Sequence, residues 1–304
     1  MRPGGGARRL LAVAVAAIVA LIVAAPAQAS LLVPNLNWTA LLPPLDSPTT
    51  PQPGPVPNCE VASIACIDTE IDRLKARRDS LGCDHRAIFA ATYLELTKQL
   101  REDLDNFPNL VFDRPYLYTE DAQFANIYFD TSAAYEQGKP VAPAWRIAFN
   151  AAKRPATTAT QDMLLGINAH VQNDMPFLIA SLGVRTPDGR TRKPDHDAIN
   201  GTLNRAYTRV VNEIRKHYDP LVTLSNPPIV PADDIAGLEL VRVWRELVWR
   251  NAERLLNATS DAQRLRVTNQ IQANAGAWAA AIAIPPIPGA TAIRDAYCAK
   301  HIGA

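Results

Sequence analysis

Three of the five histidines in this sequence fall on helical stripes whose other members are mostly apolar. His85 is followed by Phe89, Thr92, Leu96 and Leu100 at steps of three and four, the spacing of one helical face. A second stripe runs Met163, Ile167, His170, Asp174, Phe177 and Ser181, and puts His170 and Asp174 one turn apart on the same side. A third runs His196, Ile199, Leu203, Tyr207, Val210 and Ile214. Each of three helices therefore turns an imidazole inward. An unpaired polar group in a core costs about 1–3 kcal/mol, and a carboxylate more, so all of these groups require partners. One solution is an interior hydrogen-bond network, with His170 on Asp174 and the other histidines on backbone carbonyls, Asn168 or Asn200. The other is a metal centre, because His85, His170, Asp174 and His196 offer the nitrogen and oxygen ligands that zinc or another divalent ion takes in helical bundles. A hydrolytic centre of that kind keeps one coordination position for water and uses His170 and Asp174 as ligands or acid–base groups.

The remaining candidates have plainer readings. His217 and His301 lie at a helix end and near the chain terminus, and Trp145, Trp244, Trp249 and Trp278 read as core. The aromatic-rich stretch Tyr116, Tyr118, Phe124, Tyr128, Phe129 and Tyr135 reads as packing, with a ligand wall as the alternative. Pro176 removes a backbone donor inside the helix that carries His170 and leaves the Gln172 carbonyl without its usual partner, which predicts a kink. The chain has no Gly-rich phosphate loop, no G-x-S-x-G elbow and no H-E-x-x-H motif. Lys+Arg 31 against Asp+Glu 30 gives no global basic field for nucleic acid, and no basic stripe interleaved with aromatics supplies a local one.

The elements that must position these side chains are helices. The periodicity predicts them over about 62–80, 84–105, 119–138, 142–153, 159–183, 195–218, 232–258 and 261–283, and no alternating stretch competes as a strand. The expected architecture is all-α, a single bundle-like domain of about eight helices over residues 59–304. Residues 30–58 carry eight prolines and read as an extended tether. Residues 1–29 have the three-part plan of a secretory signal: Arg2, Arg8 and Arg9, an apolar run from Leu10 to Ala25, and Ala27-Gln28-Ala29, with cleavage expected after Ala29. The mature chain is then expected in the cell envelope or the medium, without a transmembrane span. Four cysteines fit an oxidising compartment. The favoured pairing is Cys66–Cys83, bracketing one helix, with Cys59–Cys298 tying the termini together.

At Cys83-Asp-His-Arg-Ala-Ile-Phe-Ala-Ala-Thr-Tyr-Leu, Ala144-Trp-Arg-Ile-Ala-Phe, Gly166-Ile-Asn-Ala-His-Val-Gln-Asn-Asp-Met and Asp195-His-Asp-Ala-Ile-Asn, the chain resembles a family of exported, mainly actinobacterial proteins of unknown function. The resemblance runs from about Cys59 to the C-terminus and implies that His85, His170, Asp174 and His196 belong to the family pattern. A more distant similarity is to the helical zinc-dependent phospholipase C and P1-type nuclease group, which implies His170 and Asp174 as metal ligands. Ala180 stands where the nuclease pattern has a further histidine, and no tryptophan leads the mature chain. The leading functional expectation is a metal-dependent hydrolase of phosphoesters or lipids. The alternative is a non-catalytic secreted helical module that binds a lipid or a protein partner.

Overall fold

The computed structural model describes residues 44–154, 157–222, 234–285 and 288–302. The expected signal sequence and the first part of the tether lie outside the described residues. The order of elements is α1 (Ile64–Leu81), α2 (Arg86–Asn106), α3 (Arg114–Glu136), α4 (Pro143–Lys153), α5 (Ala159–Ile167), a π-helix (Asn168–Asp174), α6 (Met175–Leu182), α7 (Lys193–His217), α8 (Asp234–Leu256), α9 (Asp261–Ile282) and α10 (Ala290–His301). Among the described residues there is no strand, only the isolated bridges Val56–Cys59 and Arg185–Thr191. The fold is all-α. No described helix is long and apolar enough to cross a membrane.

Local chemistry sets the helix boundaries that matter here. Asp113 caps α3 by accepting a hydrogen bond from the Tyr116 amide, and Pro115 fits the first turn, where no donor is needed. The helix therefore starts at Arg114, earlier than the apolar periodicity alone indicates. Thr158 and Gln161 form a reciprocal capping box at the start of α5. The span expected as one helix over 159–183 is three segments. Pro176 has no N–H for the Gln172 carbonyl, and the Met175 amide bonds instead to the His170 carbonyl five residues back, so the turn widens into a π-helix. A further helix, α10, follows the last expected one.

Packing places α2 between α1 and α7, and lays α9 against α4 and the π-helix. The largest core cluster gathers Phe89, Tyr128, Trp145, Trp244 and Trp249. Gly166 is required where α5 meets α2, since a Cβ there would lie 2.2 Å from the Phe89 ring. Gly183 ends α6 at φ +90, and its bare Cα admits the Thr50 side chain. Residues 44–58 run without helix over this body: Thr50 bonds the carbonyls of Leu182 and Arg185, and Gln52 bridges Asp113 and Arg192.

The disulfides are Cys59–Cys66 and Cys83–Cys298, which corrects the pairing expected from sequence. Cys66 lies in the first turn of α1 and Cys83 just beyond its end. At about 1.5 Å per residue an 18-residue helix separates its ends by far more than the roughly 7 Å limit for a cystine. Cys59–Cys66 instead closes the turn that enters α1, and Cys83–Cys298 fastens α10 to the start of α2.

Candidate functional site

A cavity of about 220 Å³ lies among α2, α3, α5, α7 and α8. Its walls are mainly apolar, including Leu96, Leu100, Met163, Ile199, Leu203 and Val210. Into it reach several buried polar groups, among them His170, His196, Tyr93, Tyr116 and Arg245. Glu120 and Asp121, neighbours on α3, also line it.

The π-helix builds one side of this site. His170 Nδ1 hydrogen-bonds Asp174 Oδ2 at 3.0 Å. The same oxygen accepts from Trp145 Nε1 at 2.8 Å, while Asn173 Nδ2 donates to Oδ1 at 2.6 Å. A carboxylate only accepts, so the His170 proton sits on Nδ1 and Nε2 carries the lone pair. Nε2 is buried and meets no hydrogen-bond partner among the described residues. The imidazole stacks on Phe124 with centroids 3.5 Å apart, and Tyr93 meets it edge-on at 5.1 Å. Burial lowers the His170 pKa, and the Asp174 hydrogen bond and charge offset this only in part, so the ring is neutral near pH 7. The result is an oriented imidazole with a free basic nitrogen in an apolar setting.

His196, on α7, also lines the cavity, but its Nε2 donates to the Arg245 carbonyl at 3.1 Å. Arg245 returns a bond from Nη2 to the His196 carbonyl at 2.5 Å. Burial first, then the charges of Arg245 and Lys193, push the His196 pKa well down. His85 does not belong to the cavity wall. It stands at the start of α2 with Nδ1 on Asp162 at 2.6 Å and Nε2 on Asp295 at 3.1 Å, joining α2, α5 and α10 next to the Cys83–Cys298 bond. Burial pulls its pKa down, but the hydrogen bond and charge of Asp162 outweigh that and raise it. The structure thus brings His170 and Asp174 together, puts His196 on the same cavity and holds His85 elsewhere. Among the described residues no group of three or more His, Cys, Asp or Glu side chains is arranged to hold a metal ion.

Sequence reasoning missed the charged groups that α3 and α8 add to the cavity wall. Glu120 and Asp121 are half-buried and line the cavity. Burial pushes Glu120 up to about 7, opposed by the charges of Arg245 and Arg192, and raises Asp121 well above the carboxylate range with Glu70 and Glu120 adding to the shift. The hydroxyls of Tyr93 and Tyr116 and Oδ2 of Asp121 have no hydrogen-bond partner among the described residues. The signal was available in the same form as for the histidines. Tyr116, Glu120 and Phe124 make one stripe, and Leu238, Val241, Arg245 and Trp249 another, each with a charged residue on an apolar face.

No curated protein and no solved structure matches the chain. A sequence family described only as a family of unknown function, DUF5995, matches residues 67–285, which include the π-helix, the cavity-lining helices and the His85 cluster up to Asp162. Since that match spans most of its length, the chain belongs to the DUF5995 family.

Proposed function

We propose that this protein takes a lipid or lipid-like molecule, apolar along most of its length, into the cavity between α2, α3, α5, α7 and α8. One observation carries the reading: buried polar atoms without a hydrogen-bond partner among the described residues, His170 Nε2 and the Tyr93 and Tyr116 hydroxyls, surround an apolar-walled space. Leaving such atoms unsatisfied costs about 1–3 kcal/mol each, and a ligand with a few hydrogen-bonding groups recovers that cost while its apolar part gains burial. Two cystines, together with the apolar leader at residues 10–25, support a secreted or envelope location. The test is native mass spectrometry of protein purified from its own host, followed by organic extraction. A stoichiometric lipid-like adduct supports the reading, and protein that stays at its bare mass after incubation with a mixed lipid extract opposes it.

A second reading, hydrolysis of an ester of such a molecule, is favoured by the Asp174–His170 pair. His170 Nε2 is placed to take a proton from water as the water oxygen attacks a carbonyl or phosphoryl centre, and to pass that proton to the departing alcohol. Asp174 holds the tautomer and stabilises the imidazolium that forms. The same nitrogen could instead ligate a divalent ion, so hydrolysis of long-chain carboxylic and phosphoric esters is to be measured with chelator and with added zinc. Turnover lost in His170→Ala with the fold retained supports this reading.

A further inference from the structure

We propose that the end of the cavity formed by Arg245, Tyr116 and Glu120 takes the carboxylate of a long-chain acid, with the alkyl chain running along the apolar wall. This rests on the ligand-binding reading above and names the ligand's class. Arg245 is 4 % exposed and lines the cavity. It bonds Asn200 Oδ1 at 2.8 Å, the His196 carbonyl at 2.5 Å and Met175 Sδ at 3.8 Å. All three are neutral, and no carboxylate of the described residues forms an ion pair with it. A guanidinium has five N–H donors in a fork that matches a carboxylate, and this one retains donors beyond those bonds. Its depressed pKa, about 10, has burial as its largest cause, with the charges of Glu120 and Asp197 opposing it. The other cavity arginine differs, because Arg192 is paired with Asp113 at 2.9 Å.

Tyr116 adds a second donor. Its hydroxyl is buried without a partner among the described residues, and its ring lies under Arg192. Glu120, one turn further along α3, adds a third when protonated. The charged groups that act on Glu120 from other elements are Arg245 on α8, Arg192 at the entry to α7 and Asp195 on α7, and Asp121 is its neighbour on α3. Protonated Glu120 donates to a carboxylate, whereas ionised Glu120 repels it and competes for Arg245. Binding of the acid therefore takes up protons near and above pH 7, and the affinity falls as the pH rises through that range. A long-chain amine would show the reverse, tighter binding and proton release as the pH rises.

The experiment titrates the full mature protein with palmitate, 1-hexadecanol and hexadecylamine below their aggregation limits. Calorimetry in two buffers of different ionisation enthalpy, from pH 6 to 8.5, reads the protons exchanged. We expect palmitate to bind about tenfold or more tighter than hexadecanol at pH 6.5, with proton uptake and a loss of affinity toward pH 8.5. Glu120→Gln should flatten the pH dependence, and Tyr116→Phe should weaken palmitate several-fold, by a larger factor than it weakens hexadecanol. Arg245→Met should abolish the preference for the acid; because Arg245 also ties α8 to α7, the Tyr116 and Glu120 variants keep the test open if it does not fold. Equal binding of acid and alcohol would overturn the carboxylate assignment and leave the cavity reading standing. Preference for the amine would overturn it in favour of an acidic site. Binding of none of the three would count against both.

Discussion

Asp174 lies four residues after His170 on a single π-turn and accepts its Nδ1 proton at 3.0 Å, so that Nε2 is left as the basic nitrogen facing the cavity. The relationship depends on the backbone as much as on the two side chains. Pro176 withholds the amide that would close an ordinary turn, and the Met175 amide bonds the His170 carbonyl in its place.

That geometry fixes a tautomer. Nitrogen-15 correlation spectra should show His170 neutral at pH 7 with its proton on Nδ1. In Asp174→Asn the side chain can offer a donor to Nδ1, and the spectrum should move toward the Nε2-protonated form. Stability should fall by about 1–3 kcal/mol, because Trp145 Nε1 and Asn173 Nδ2 lose a charged acceptor. An unchanged tautomer in the variant would show that Asp174 does not set the proton's position.

Gly166 admits Phe89, which in turn meets the His170 ring edge-on at 5.9 Å. Gly166→Ala should cost about 1–3 kcal/mol through overpacking and should shift the His170 ring resonances. Chemical denaturation and the same spectra read both effects.

His85 contributes stability with a definite pH sign. Its folded pKa is raised, chiefly because the bond and charge of Asp162 outweigh burial, so its contribution is fully present below the unfolded value of about 6.5 and is lost as the pH rises through the folded one. The melting temperature of the wild type should decline across that window more steeply than that of His85→Gln. Parallel profiles would remove His85 from the account of stability.

The Cys83–Cys298 bond closes a separation of 215 residues, for which chain-entropy reasoning gives up to about 5 kcal/mol. Replacing both cysteines with serine should lower the unfolding free energy far more than the same change at Cys59–Cys66, whose separation is 7. Equal losses would mean that the long bond does not restrain the unfolded chain.

Much of this molecule is legible in its sequence, and the gaps have physical causes. Apolar periodicity marks helices because burial of one face repeats every three or four residues, and it brings out His170, Asp174 and His196 as polar groups on buried stripes. It does not show α10, whose short Ala-rich turns carry few large apolar residues, nor the π-turn, which a proline changes without altering the stripe. Spacing alone also misled the cystine pairing, since nearness along the chain becomes distance once a helix intervenes. The acid and guanidinium of Glu120 and Arg245 stood on apolar stripes as visibly as the histidines did. Charged residues are so often surface residues that their inward direction emerges only when α3 and α8 are set around the same cavity.

The most direct test of the central claim fills the cavity. Leu203 lines it from α7, and Leu203→Trp occupies that space with a side chain of the same apolar character. Titration of wild type and variant with a fluorescent long-chain probe, with the fold of each monitored by circular dichroism, compares them directly. The account predicts saturable, one-to-one binding by the wild type and at least tenfold weaker binding by a folded variant. Equal binding by both proteins would place the probe outside the cavity and contradict the account.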